Sequence, residues 1–174
     1  MPWLRNRGDG NAGNLMARSA LYDDLIMDHI RNARNYREME NAGRSAVGAN
    51  PLCGDELTVF VCLDDCGSIE DVSYQCTCCG ITMASASLMT EHVKGRSIDD
   101  IRSLVRAFRA GADGEIHSGR LLDPVVRTVL EIVHQYPARQ RCAALPWDTL
   151  GALLDGLPRR SGADAFPLTR RGDA

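Results

Sequence analysis

The sequence predicts an α+β domain in which a small antiparallel sheet of about three strands is packed on one face by several helices. Three observations carry this expectation. Two β-rich runs flank the turn at 64–67, amphipathic helical repeats lie on either side of them, and the order is helix, strands, then a run of helices. With 174 residues and no internal repeat, the chain is the size of one domain and can bury a core unaided.

Taken in order, residues 1–17 are rich in Gly, Asn and Arg and read as a flexible extension, so the domain is expected over 18–157. Leu21, Leu25, Ile26 and Ile30 recur at helical spacing, with Ser19 placed to cap the helix and Asp23 and Asp24 near the positive end of its dipole. From Asn41 to Pro51 the breakers Gly43, Gly48 and Asn50-Pro51 predict a loop with at most a short edge strand. ELTVFVCL alternates Leu57, Val59, Val61 and Leu63 against Thr58, Phe60 and Cys62, and SIEDVSYQ follows the turn, which together make a hairpin. GITMASASLMTEHVKG runs unbroken to Gly95, and its small residues Ala84 to Ser87 suit a central helix approached closely by a neighbour. Ser97 with Asp100 forms a variant capping box ahead of an apolar stripe, Ile98, Ile101, Leu104, Val105 and Phe108, that Gly111 and Gly114 should end. Asp123-Pro124 opens the next helix and Pro137 stops it. A last helix is expected to open near Pro146, and the tail from 158 to 174 reads as disordered.

Composition bounds the function. The chain is 44% hydrophobic and 25% charged with a net charge of -3, and it has no block of like charge, so nothing marks it for nucleic acid or an anionic membrane. No apolar run nears the roughly 18 residues of a membrane span, and the opening MPWLRNRGDGNAGNL lacks a signal-peptide core, so a cytoplasmic location is expected. Seven cysteines in a reducing compartment argue against a disulfide framework and for metal or thiol chemistry at some of them. Cys62, on the minor face of its strand, and Cys66, in the turn, fit the plain role of small structural residues.

The remaining thiols sit in suggestive places. Cys53 and Asp55 flank Gly54, whose backbone freedom permits a tight turn that aims both side chains at one point, although Asp55 alone could equally cap a turn. Cys79 heads a helix, where the dipole favours thiolate, and Cys76 and Cys78 crowd the same turn, so which of the three points inward stays open. Cys142 is expected just before the last helix, with Arg139 and Arg141 close enough to favour its thiolate or, alternatively, buried against Trp147. Three thiolates and a carboxylate make up a four-coordinate soft-metal set. His29, His92, His117 and His134 lie in no metal-ligand spacing and read as ordinary helix residues. Phosphate loops, dinucleotide fingerprints and nucleophile elbows are absent from the sequence.

NPLCGDEL, CCGITMASASLMT and YPARQRCAALPW closely resemble the three signature segments of SufU-type proteins within the NifU/IscU family of iron-sulfur cluster assembly proteins, and LYDDLIMDHIRNARN resembles the family's first helix. The likeness spans about residues 20–155. It implies Cys53, Asp55, Cys79 and Cys142 as ligands of zinc or, alternatively, of iron in a [2Fe-2S] cluster, and Cys53 as persulfide acceptor. It further implies sulfur delivery from a SufS-type cysteine desulfurase, with a SufB-type scaffold as a candidate recipient. The stretch from Gly95 to Pro137 resembles the insertion of SufU-type members, and Arg141 stands where the IscU branch carries histidine, which favours a zinc-bound sulfur relay over a cluster scaffold. Cys78 replaces a glycine usual in relatives, at a cost of about 1 kcal/mol if that position requires positive φ.

Overall fold

The computed structural model describes residues 24–114 and 122–156. The proposed extension over 1–17, the cap at Ser19, the tail over 158–174 and His117 lie outside the described residues. The described part of the first helix, α1, covers 24–31. It is followed by β1 (Arg44–Asn50), β2 (Asp55–Leu63), β3 (Ile69–Thr77), α2 (Gly80–Val93), α3 (Ile98–Ala112), α4 (Pro124–Gln135) and α5 (Gln140–Asp155).

The three strands pair antiparallel in the order β1-β2-β3. Leu57, Val59 and Val61 are fully buried, as their alternation predicts, while Phe60 on the opposite face is covered too. α5 packs on β1 and β2, and α2 on β3, so the helices cover one face of the sheet. The edge strand is longer than the breakers imply, and Gly48 explains why. A Cβ there would lie 1.9 Å from Thr149 Oγ1, so the missing side chain is what lets α5 lie against β1.

α2 is the central helix, buried along most of its length. Its hydroxyls reach outward to partners: Ser85 Oγ donates to the Ala143 carbonyl at 2.7 Å and accepts from Trp147 Nε1 at 3.1 Å. Trp147 in turn stacks on Phe108 with ring centroids 4.5 Å apart. Gly95, at φ 79°, ends α2 in the left-handed conformation that glycine adopts without strain. Ser97 Oγ accepts the Asp100 amide at 3.2 Å, as the capping box requires.

Two boundaries differ from expectation. Gly111 lies inside α3 instead of ending it, where a Cβ would come 2.5 Å from Leu130 Cδ1, so it serves the α3–α4 contact. α5 opens at Gln140, directly after a 3-10 turn over Pro137–Arg139, and carries Pro146 within it. Proline removes the amide that would bond the Cys142 carbonyl one turn earlier; Thr82 Oγ1, 3.1 Å from that carbonyl, supplies a donor instead. The helix therefore runs through the proline, and Cys142 falls in its first turn.

Candidate metal centre

Sheet register brings the signature segments to one end of the fold. Asn50 pairs with Asp55 across the β1–β2 turn, and Glu56 pairs with Thr77, so residue 53, residue 55 and the start of α2 all meet there. The α5 start packs against α2 at the same end, because Thr82 reaches the Cys142 carbonyl. Three distant segments thus converge through strand pairing and one helix contact.

Asp55 is buried at 4% exposure and its carboxylate is fully engaged. Oδ1 accepts the Cys79 amide at 2.9 Å and Oδ2 accepts the Thr82 hydroxyl at 2.9 Å. The first turn of α2 has no acidic residue and Cys79 makes no side-chain cap, so Asp55 on β2 supplies from outside the helix the negative charge that its N-terminus favours. Capping and ligation are compatible, since a carboxylate has lone pairs to spare beyond two hydrogen bonds.

Cys53, by contrast, is exposed on a turn whose Gly54 has φ 69°. Its amide donates to the Asn50 carbonyl at 3.2 Å, and its Sγ lies 3.2 Å from the Sγ of fully buried Cys142. Asn50, itself buried, directs Nδ2 toward Cys142 Sγ at 3.8 Å and accepts the Leu52 amide through Oδ1. Ligand atoms of Cys53, Asp55 and Cys142 all fall within 4.8 Å of one another. Tetrahedral zinc with ligands at about 2.3 Å requires donor separations of about 3.8 Å, so these three fit the group by donor chemistry and by spacing. Cys79, the fourth expected ligand, is not part of that group; its Sγ lies 3.5 Å from Thr82 Oγ1.

Burial pushes the Cys142 thiol up to about 12, with the neighbouring Cys53 and Cys79 thiols and the Asp55 carboxylate adding to the effect. This corrects the expectation that nearby arginines favour its thiolate: desolvation and crowding by other acids outweigh them. Of the two, Arg139 is the one that feels the site: the Cys142, Cys79 and Cys53 sulfurs hold its guanidinium above its ordinary value. Arg141 instead lines an open groove of about 730 Å³ beside the turn, together with Asn50 and Leu52. Leu52 at the turn tip is 75% exposed.

The other sequence candidates separate cleanly. Cys76 and Cys78 are bonded to each other, so one disulfide exists where none was expected, and its two sulfurs are withdrawn from competition for an ion. Among the described residues Asn35 is the non-glycine with positive φ, so Cys78 carries no backbone strain. Cys62 contacts Glu70 at 3.7 Å and Cys66 is exposed in its turn. His29 bonds Ser87 Oγ, His92 the Leu88 carbonyl and His134 the Gly111 carbonyl, all structural roles. Asn50 and Thr82 were not singled out from sequence; the one reads as a turn breaker and the other as an ordinary helix residue until the fold places them.

Comparison with known proteins identifies the family. Residues 21–114 match the family model described as the NifU-like N terminal domain. The chain is 31% identical over 139 residues to the iron-sulfur cluster assembly scaffold protein IscU of Thermotoga maritima, covering 80% of this chain and 96% of that one. It is 33% identical over 144 residues to the zinc-dependent sulfurtransferase SufU of Bacillus subtilis, covering 83% and 94%. A Fervidobacterium islandicum protein assigned to the SUF system as an iron-sulfur cluster assembly scaffold superposes with TM-score 0.70 at 29% identity, over 78% of this chain and 97% of that chain. Sheet, helices, signature segments and relatives agree, and the chain belongs to the NifU-like N-terminal domain family.

Proposed function

We propose that this chain is an iron-sulfur cluster assembly protein of the SUF type that accepts persulfide sulfur on Cys53 from a SufS-type cysteine desulfurase in the cytoplasm and passes it on, a SufB-type scaffold being the proposed recipient. It acts as a sulfurtransferase-like relay and not as a stand-alone enzyme. The observation that carries the reading is the contrast within the site: Cys53 is exposed on a glycine-hinged turn, while its neighbour Cys142, 3.2 Å away, is buried in a helix. One sulfur can swing out and the other cannot.

Cys53, Asp55, Cys79 and Cys142 are the proposed ligands, and zinc bound there would keep the three thiols ionised. Transfer itself is thiol exchange. The Cys53 thiolate attacks the terminal sulfur of the donor's cysteine persulfide, the donor S–S bond breaks, and the donor cysteine leaves as thiolate. Arg139 holds positive charge over the cluster while sulfur arrives. The exposed Leu52 beside the acceptor offers the donor an apolar foothold.

Replacing Cys53 with alanine is expected to abolish sulfur transfer with the circular dichroism spectrum unchanged; full retention of desulfurase stimulation rejects the role. A second reading, assembly of a [2Fe-2S] cluster on the same four residues, draws support from the shared donor set and from the relatives named IscU. Anaerobic purification with metal analysis separates the two: a colourless zinc protein supports the relay, and a brown iron-containing one supports the scaffold.

A further inference from the structure

The bond between Cys76 and Cys78 needs a reason. In the chain-entropy picture a disulfide stabilises in proportion to the loop that it closes, and this one spans a sequence separation of 2, so it constrains almost nothing in the unfolded chain. The other five cysteines are free, so it belongs to no oxidised framework. A Cα–Cα distance of 5.5 Å lies in the ordinary range for disulfides. What remains is its position. Cys76 pairs with Leu57, two residues from Asp55, and packs on the core, while Cys78 is half-buried and directly precedes Cys79, whose amide holds Asp55. The pair therefore sits at the same sheet end as the exposed turn bearing Cys53.

We propose that Cys76 and Cys78 form a redox-active dithiol that reduces sulfur carried on Cys53 to sulfide, ending as the disulfide seen in the structure. This rests on the reading of Cys53 as persulfide acceptor. Cys78, the less constrained of the two, attacks the outer sulfur of the Cys53 persulfide; the Cys53 S–S bond breaks and Cys53 takes up the proton given up by Cys78. Cys76 then attacks the Cys78 sulfur, the Cys76–Cys78 bond forms, and the transferred sulfur leaves as hydrosulfide. The sulfane sulfur gains two electrons and the two cysteine sulfurs lose one each. An external protein or small-molecule dithiol resets the pair and becomes a disulfide itself.

The test is a single turnover. The full, reduced chain is loaded with one equivalent of glutathione persulfide, the glutathione released is removed at once by desalting so that no other reductant remains, sulfide is measured, and thiols are trapped for peptide mass analysis. The unsubstituted chain is expected to release sulfide and to yield the 76–78 peptide as a disulfide. The Cys76→Ser/Cys78→Ser variant is expected to lose sulfide release and to keep the extra sulfur on Cys53, and Cys76→Ser alone to hold it on Cys78. If the double variant carries the sulfur on Cys53 yet releases sulfide as fast as the unsubstituted chain, the dithiol proposal is overturned and the acceptor reading stands. If Cys53 takes up no sulfur in the double variant, the acceptor reading fails, and this proposal with it. Should the variants not fold by circular dichroism, the unsubstituted chain still decides: free thiols at Cys76 and Cys78 after sulfide release overturn the proposal.

Discussion

The single hydroxyl proton of Thr82 is shared between two acceptors within hydrogen-bond distance. Its Oγ1 lies 2.9 Å from Asp55 Oδ2 and 3.1 Å from the carbonyl that Pro146 leaves without its helical partner. Both acceptors are buried, so losing the donor strands polar groups that water reaches poorly. Thr82→Val, nearly isosteric, is expected to destabilise the metal-free protein by about 1–3 kcal/mol, measured by urea unfolding. A change below the resolution of that measurement would show that the hydroxyl is dispensable. At this scale the sequence was legible where the chemistry of the side chain is itself the signal. Cys53, Asp55, Cys79 and Cys142 stand out by residue type and by the family resemblance, and the structure gathers the first, second and fourth of them. Thr82 and Asn50 carry no such mark, because their roles depend on which distant group each one meets.

α1 and α2 are joined through a buried histidine. His29 is 3% exposed and its Nδ1 lies 2.8 Å from Ser87 Oγ, with Glu91 at 3.9 Å and with Arg34, Asp28 and His92 among its charged neighbours. Burial, helped by the Arg34 guanidinium, pushes its pKa below the ordinary 6.5. The unfolded chain therefore binds a proton that the folded chain refuses. Stability is complete above the unfolded value and falls as pH drops below it, by up to about 1.4 kcal/mol per pH unit. His29→Gln, which can still bond Ser87, is expected to flatten the thermal-stability profile between about pH 7 and about pH 5; an unchanged acid limb would place the effect elsewhere. Elements, too, were unevenly legible. The hairpin, α3 and α4 follow from periodicity and caps, and α2 from an unbroken run that Gly95 ends, all of which are local signals. The early start of α5 and the full length of β1 were not legible, because Pro146 and Gly48 are local breakers that only tertiary partners, Thr82 and Thr149, make tolerable.

At the scale of the molecule, one apolar cluster links every element, from Ile26 on α1 through Leu57, Tyr74, Leu88, Phe108 and Val129 to Trp147 on α5. The ligand candidates lie at one end of the sheet and outside that cluster, Cys142 being buried beside it next to Ala143. A domain held by such a core does not depend on an ion for its fold, unlike small domains whose folding free energy is metal binding itself. Chelation is therefore expected to leave the far-ultraviolet circular dichroism spectrum and a single cooperative unfolding transition intact. Restoring zinc at a hundredfold excess over its Kd is expected to raise stability by about 2.7 kcal/mol, the mass-action term for a ligand that binds only the folded state. Loss of helical signal on chelation would instead make the site a closed structural one, in which Cys53 could not leave its place to collect sulfur. The same titration thus bears on the proposed mechanism: a fold that survives without a bound ion could release one ligand at a time, which a relay through Cys53 requires.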